Sequence, residues 1–176
     1  MRAHEPAGTS TARSTRGAQV TSSGRLRGLA VCAAIIGGLL VPVALATPAS
    51  AATVCSSDTL ISHGSLTFNM PTIGNNTGKI NCFLESGDNS EAVKTLQSNL
   101  NDCYWSGSTT RGHQSKFSPK LELDGDFGGL TKAALTAAQK TVSTISHDGV
   151  YGSETRANIN FFADDGGIGH CARFGS

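Results

Sequence analysis

The turn-forming motif Asp-Gly-x-aromatic-Gly-x-x-Thr occurs twice in the second half of the chain. It runs from Asp124 to Thr131 and again from Asp148 to Thr155. Asp-Gly is a turn dipeptide, because Gly adopts positive φ freely and Asp can bond its own backbone. The second Gly of each copy, Gly128 or Gly152, stands where a helix N-cap belongs, which makes Thr131 and Thr155 the third helical residues. Two turn-to-helix units in tandem point to a small helical module. Most of the motif residues are expected to be architecture. Asp124 and Asp148 accept N–H bonds within their turns, Gly125 and Gly149 supply positive φ, and Phe127 and Tyr151 plug the space between helices.

Periodicity fills in the elements around the repeat. Val93, Leu96, Leu100 and Cys103 recur at helical spacing among the polar Lys94, Gln97, Asn101 and Asp102. Ser90 is a natural N-cap and Glu91 complements the helix dipole, so a first helix is expected over about 91–103. A second is expected over about 129–142, burying Leu130, Ala134, Leu135, Ala138 and Val142. A third starts near Ser153, with Ile159 and Phe162 as apolar contacts, and stops at Asp164-Asp165-Gly166-Gly167. Residues 54–83, rich in Thr, Ser, Asn and Gly, read as one or two short strands and loops. The segment 106–120 has no period and reads as a surface loop.

The first 51 residues stand apart. Arg2, Arg13, Arg16, Arg25 and Arg27 precede an apolar stretch from Leu29 to Ala46, and the run then closes on Ala49-Ser50-Ala51. This is the order of a secretory signal peptide, with cleavage expected after Ala51 and no membrane association afterwards. Ala52-Thr53-Val54 lacks the residues expected before a lipid-modified Cys55, so the product reads as released. The remaining 125 residues carry nine Lys plus Arg against twelve Asp plus Glu. That balance, with no basic stripe, argues against nucleic acid or anionic lipid as a partner. Cys32 falls in the signal, leaving Cys55, Cys82, Cys103 and Cys171. An even count in an exported chain implies two disulfides, and no Cys-x-x-Cys spacing suggests a metal. Three pairings are open. The one adopted is Cys82–Cys103, tying the lead-in strand to the first helix, with Cys55–Cys171 tying the two ends of the exported chain.

The run Leu84-Glu85-Ser86-Gly87-Asp88, followed by Ala92 to Leu100, and then the two motif copies with Gln139 after the first, resembles the peptidoglycan-binding-like domain of secreted bacterial wall proteins. The resemblance covers about residues 82–162. It departs at Ala138, at Asn158 and in the lengthened 106–120 segment. It implies a mainly α fold: a three-helix domain over 82–163, preceded by a strand-and-loop extension over 52–81 and followed by a tail over 164–176. It also implies a secreted or wall-associated monomer that binds peptidoglycan, by glycan strand or stem peptide, without catalysis, cofactor or metal. A secreted interaction or inhibitor protein that reuses the scaffold, or a degenerate wall hydrolase, is the alternative.

Aromatic faces stack on sugars, and Arg reaches carboxylates and amides. Tyr104, Trp105, Arg111, Tyr151 and Arg156 are therefore the candidate ligand contacts. Catalytic signatures are weak. His63, His113, His147 and His170 are scattered singly, no His-Glu-x-x-His or Gly-x-Ser-x-Gly occurs, and Glu122-x-Asp124-x-Asp126 lacks the rest of a calcium loop. Ser62-His63-Gly64-Ser65 and His170-Cys171-Ala172-Arg173 resemble fragments of a transpeptidase Cys motif. Neither is complete, and Cys171 is assigned to a disulfide.

Overall fold

The structure, a computed structural model, describes residues 52–175. The expected signal peptide, with its expected cleavage after Ala51, lies outside the described residues. The chain order is β1 (Ser57–His63), β2 (Leu66–Thr72), α1 (Glu91–Tyr104), α2 (Gly129–Gln139), α3 (Ser153–Asn158), β3 (Asn160–Asp164) and β4 (His170–Arg173). The four strands form one antiparallel sheet in the order β1-β2-β3-β4.

This corrects the expectation of a mainly α, three-helix fold. Half of the sheet comes from the C-terminal segment, where the sequence reading continued a helix and then a tail. α3 stops at Asn158, and Ile159 turns to extended backbone at φ −90° and ψ 165°. Asn-Phe-Phe-Ala-Asp then alternates: Phe161 and Ala163 point into the core, while Asn160 and Phe162 are half-buried. Period two around aromatic residues is strand chemistry, and it is satisfied by neighbours on both sides. Phe68 of β2 faces Ala163, and Phe161 faces Ala172 of β4. β1 and β2 form a hairpin through Gly64-Ser65, with Gly64 at φ 62° as a two-residue turn requires. The junctions expected at 81/82 and 163/164 fall inside a single unit, because β3 joins the helices to the hairpin.

α1 is the central post of the molecule. Ten of its fourteen residues are buried, including Gln97, Asn99 and Asn101. Steps of 100° per residue place 97 and 101 on one side and 99 on the opposite side. Asn99 faces the sheet, donating to Asn69 O at 3.0 Å and accepting from Phe162 N–H at 3.0 Å. Asn101 faces the other way and exchanges two bonds of 2.9 Å with the backbone of Leu121. The apolar residues between these amides pack into one core cluster that continues past both faces of the helix. Phe68, Met70 and Phe161 lie toward the sheet, and Phe127, Leu135 and Tyr151 toward α2 and α3.

The disulfides are Cys55–Cys82 and Cys103–Cys171, not Cys82–Cys103 with Cys55–Cys171. The reason is the length of α1. Cys55 lies at its N-terminal end, where the Ser90 hydroxyl donates to Cys55 O, and Phe83 pairs with Val54 beside it. Cys103 is most of a helix away, about 20 Å at the helical rise, whereas bridged Cα atoms stand at most about 7 Å apart. Each cysteine therefore pairs with the one at its own end of the post.

Candidate functional site

The two motif copies adopt the same construction. A glutamine from the preceding helix reaches into each turn. Gln97 Nε2 lies 2.7 Å from Asp124 Oδ1 and 3.1 Å from both Asp126 O and Thr131 Oγ1, and Gln97 Oε1 accepts from Gly125 N–H at 3.1 Å. Gln139 Nε2 lies 3.1 Å from Asp148 Oδ1 and 3.0 Å from Val150 O and Thr155 Oγ1, and its Oε1 accepts from Gly149 N–H at 2.8 Å. Two N–H groups serve three acceptors in each case, so the donors are shared. Asp124 and Asp148 also accept from the N–H two residues on, each at 2.9 Å. The donated amide of Gln97 holds the Asp124 carboxyl below the ordinary carboxylate range.

Gly125 and Gly149 have φ of 78° and 72°. A Cβ on Gly149 would stand 2.7 Å from both Lys132 Cγ and Thr136 Oγ1, so close helix approach as well as dihedral angle selects glycine there. Phe127 and Tyr151 are fully buried, and Gly128 and Gly152 are the N-caps of α2 and α3.

Beside the first clamped turn lies a groove along α2. Its walls are α2 and the segment leading into the first turn. Near the helix N-terminus a depression of about 480 Å³ is lined by Lys120, Leu121, Glu122, Asp126 and Leu130, among others. It shares Pro119, Leu121 and Leu130 with a second depression of about 370 Å³. That one shares Lys116, Ala133 and Ala137 with a third, which extends to Lys140. Leu130, expected in the buried stripe, is 66% exposed here. Thr131, Ala134, Leu135 and Ala138 complete the buried face of α2 without it.

Residues 89–159 match the family model described as "Putative peptidoglycan binding domain". This segment, 71 of the 176 residues, is similar to that family. No curated protein and no solved structure matches the chain. The matched residues hold both glutamine clamps and every wall of the groove, while the hairpin and β3–β4 lie outside them.

The five candidate ligand contacts are not brought together. Tyr104 and Tyr151 are fully buried and present no face to a sugar. The Tyr104 hydroxyl accepts from Asn160 N–H at 2.6 Å, where β3 begins. Burial raises the pKa of both phenols, most strongly for Tyr151, whose hydroxyl makes no hydrogen bond although Arg156 stands near enough to offset part of the shift. Arg156 is a buried strut, donating to Ile80 O and, at 3.0 Å, to Asn81 Oδ1. Arg111 sits at the sheet edge, where its carbonyl accepts from Cys171 N–H at 2.8 Å and its guanidinium stands 3.9 Å from Asp165.

Trp105 lines a separate depression, which shares Lys120 with the first depression of the groove. It caps α1, the Gly107 backbone lies against its ring, and Lys120 Nζ stands 5.2 Å from the ring centroid. Lys120 also faces Asp102, whose carboxyl is raised by burial and lowered in smaller part by Lys120 and Ser98. Sequence reasoning missed Lys116, Pro119, Lys120 and Lys140. The available signal was Leu130, an apolar residue next to the 131/134/135/138 stripe that the helix does not need for its core. Among the described residues no cluster of His, Cys, Asp or Glu is placed to hold a metal, and no helix is long and apolar enough to cross a membrane.

Proposed function

We propose that the protein is exported, binds peptidoglycan without catalysis, and does so through the groove along α2. The observation that carries this reading is the coincidence of two facts. The family match spans the clamped turns, and beside the first of them lies a groove lined by the solvent-exposed Leu130. An exposed leucine in a concave, polar-rimmed surface is a binding feature more than a folding one. Paired cysteines at both ends of α1 agree with an oxidising, extracellular destination. The protein acts as a monomer, and its hairpin and C-terminal strands brace the binding domain.

Co-sedimentation with insoluble peptidoglycan tests the reading. The wild-type chain is expected in the pellet, and Leu130→Asp should reduce the bound fraction by about tenfold, since a charge at an apolar contact costs at least 1–2 kcal/mol. Leu60→Asp, at an exposed position of β1, should bind as the wild type does. A wild-type chain left wholly in the supernatant rules out wall binding.

A further inference from the structure

The wall of the groove that faces α2 includes part of the segment 106–120, which supplies Lys116, Phe117, Pro119 and Lys120. This segment contains no helix and no strand of its own. Its backbone is held at two places. At the end of α1, Gln114 N–H donates to Cys103 O at 2.8 Å and Lys116 N–H donates to Tyr104 O at 2.6 Å. At the sheet edge, Cys171 N–H donates to Arg111 O at 2.8 Å. Gly112, at φ 80°, packs so close there that a Cβ would stand 3.3 Å from Cys171 O. The Cys103–Cys171 bridge joins these two places, so each of its halves also carries one backbone hydrogen bond to the segment.

We infer that Cys103–Cys171 is a thiol-sensitive lock on the groove: a dithiol reductant opens it while Cys55–Cys82 stays closed, and opening it weakens wall binding. The inference rests on the groove-binding reading above. Thiol–disulfide exchange needs a sulfur that the attacking thiolate can reach. Cys55, Cys82 and Cys103 are buried, and Cys171 alone of the four is half-buried, on the four-residue edge strand β4. The thiolate attacks Cys171 Sγ, the S–S bond breaks, and Cys103 leaves as a thiolate that takes up a proton. The second thiol of the reductant then displaces Cys171. The reductant ends as its internal disulfide, two electrons have passed to the protein, and both cysteines are thiols. The frame across which the segment lies is then closed by hydrogen bonds and packing, with no covalent member. A wall that is less fixed before the ligand arrives binds it less tightly.

The full exported chain is treated with dithiothreitol, sampled over time, quenched with iodoacetamide and mapped by mass. Cys103 and Cys171 are expected to be alkylated about tenfold faster than Cys55 and Cys82. In the protein with only this bridge open, amide hydrogen exchange should quicken over 106–116 and 170–173 and stay unchanged in α2. Its bound fraction in wall co-sedimentation should fall about fivefold and return on reoxidation. Two variants separate a lock from a general loss of stability. Cys103→Ser/Cys171→Ser should bind walls as weakly as the selectively reduced protein. Cys55→Ser/Cys82→Ser, which gives up the bridge at the other end of α1, should bind as the wild type does.

Opening of Cys55–Cys82 first, or at the same rate, overturns the lock. Undiminished wall binding after Cys103–Cys171 has opened also overturns it. So does loss of the near-ultraviolet circular dichroism on opening, because the bridge is then a staple of the whole fold. An oxidised chain that never sediments with walls removes the groove-binding reading, while the alkylation rates and the amide exchange still decide whether this bridge opens first and frees the segment.

Discussion

Gln97 and Gln139 each replace the water that a tight turn would otherwise need. Both are buried, and each joins a helix to a turn through one acceptor and shared donors. Gln97→Met or Gln139→Met keeps the volume and strands a glycine N–H and a carbonyl. Each is therefore expected to lower unfolding free energy by about 2–4 kcal/mol in urea titrations. Asp124 carries a pH dependence of predictable sign. Its folded pKa lies below the ordinary value of 3.8 because Gln97 donates to it. The stability this adds is complete above the ordinary range and is lost as pH falls through the folded value. Asp124→Asn keeps the acceptor oxygen and removes the titration. Thermal midpoints of the two proteins should converge as pH drops from about 5 to about 2, and a gap that holds constant refutes the assignment.

Among the elements, α1 decides the most. Its two faces meet unlike partners, a sheet through Asn99 and the turn segments through Gln97 and Asn101. The Cys103–Cys171 bridge fastens its C-terminal end to the four-residue edge strand β4, closing a separation of 68 residues against 27 for Cys55–Cys82. In the chain-entropy picture the longer loop constrains the unfolded chain more. Cys103→Ser with Cys171→Ser should therefore cost about 4 kcal/mol and Cys55→Ser with Cys82→Ser about 3.5, read from denaturant midpoints. Peptide mapping without reductant should return the two pairs at opposite ends of α1.

At the scale of the whole molecule, the family segment is not self-sufficient. Asn99 and Tyr104 are bonded to strands that lie outside residues 89–159. A chain limited to residues 82–163 lacks the hairpin and leaves Cys82 and Cys103 without their partners. It is expected to give no cooperative thermal transition, whereas residues 52–176 should give one. The turn-and-cap units were legible in the sequence because their contacts are local: Asp to the N–H two residues on, Gly at positive φ, Gly as N-cap. The first two helices were legible too, because their periodicity ran over three turns. Phe162 was not, since a five-residue strand carries too short an alternation to separate from a helix end. Nor were Gln97 and Asn101, because an amide looks alike in solvent and in a satisfied core. The candidate ligand residues were chosen by side-chain type, and type does not tell whether an aromatic ring faces a groove or a helix. The sequence by itself therefore determined the repeated turns, the first two helices and the family resemblance of residues 89–159. Only the tertiary structure decided the sheet, the disulfide pairing and the groove, because each depends on segments brought together from across the chain, and the energy of such contacts resides in the partner rather than in either segment alone.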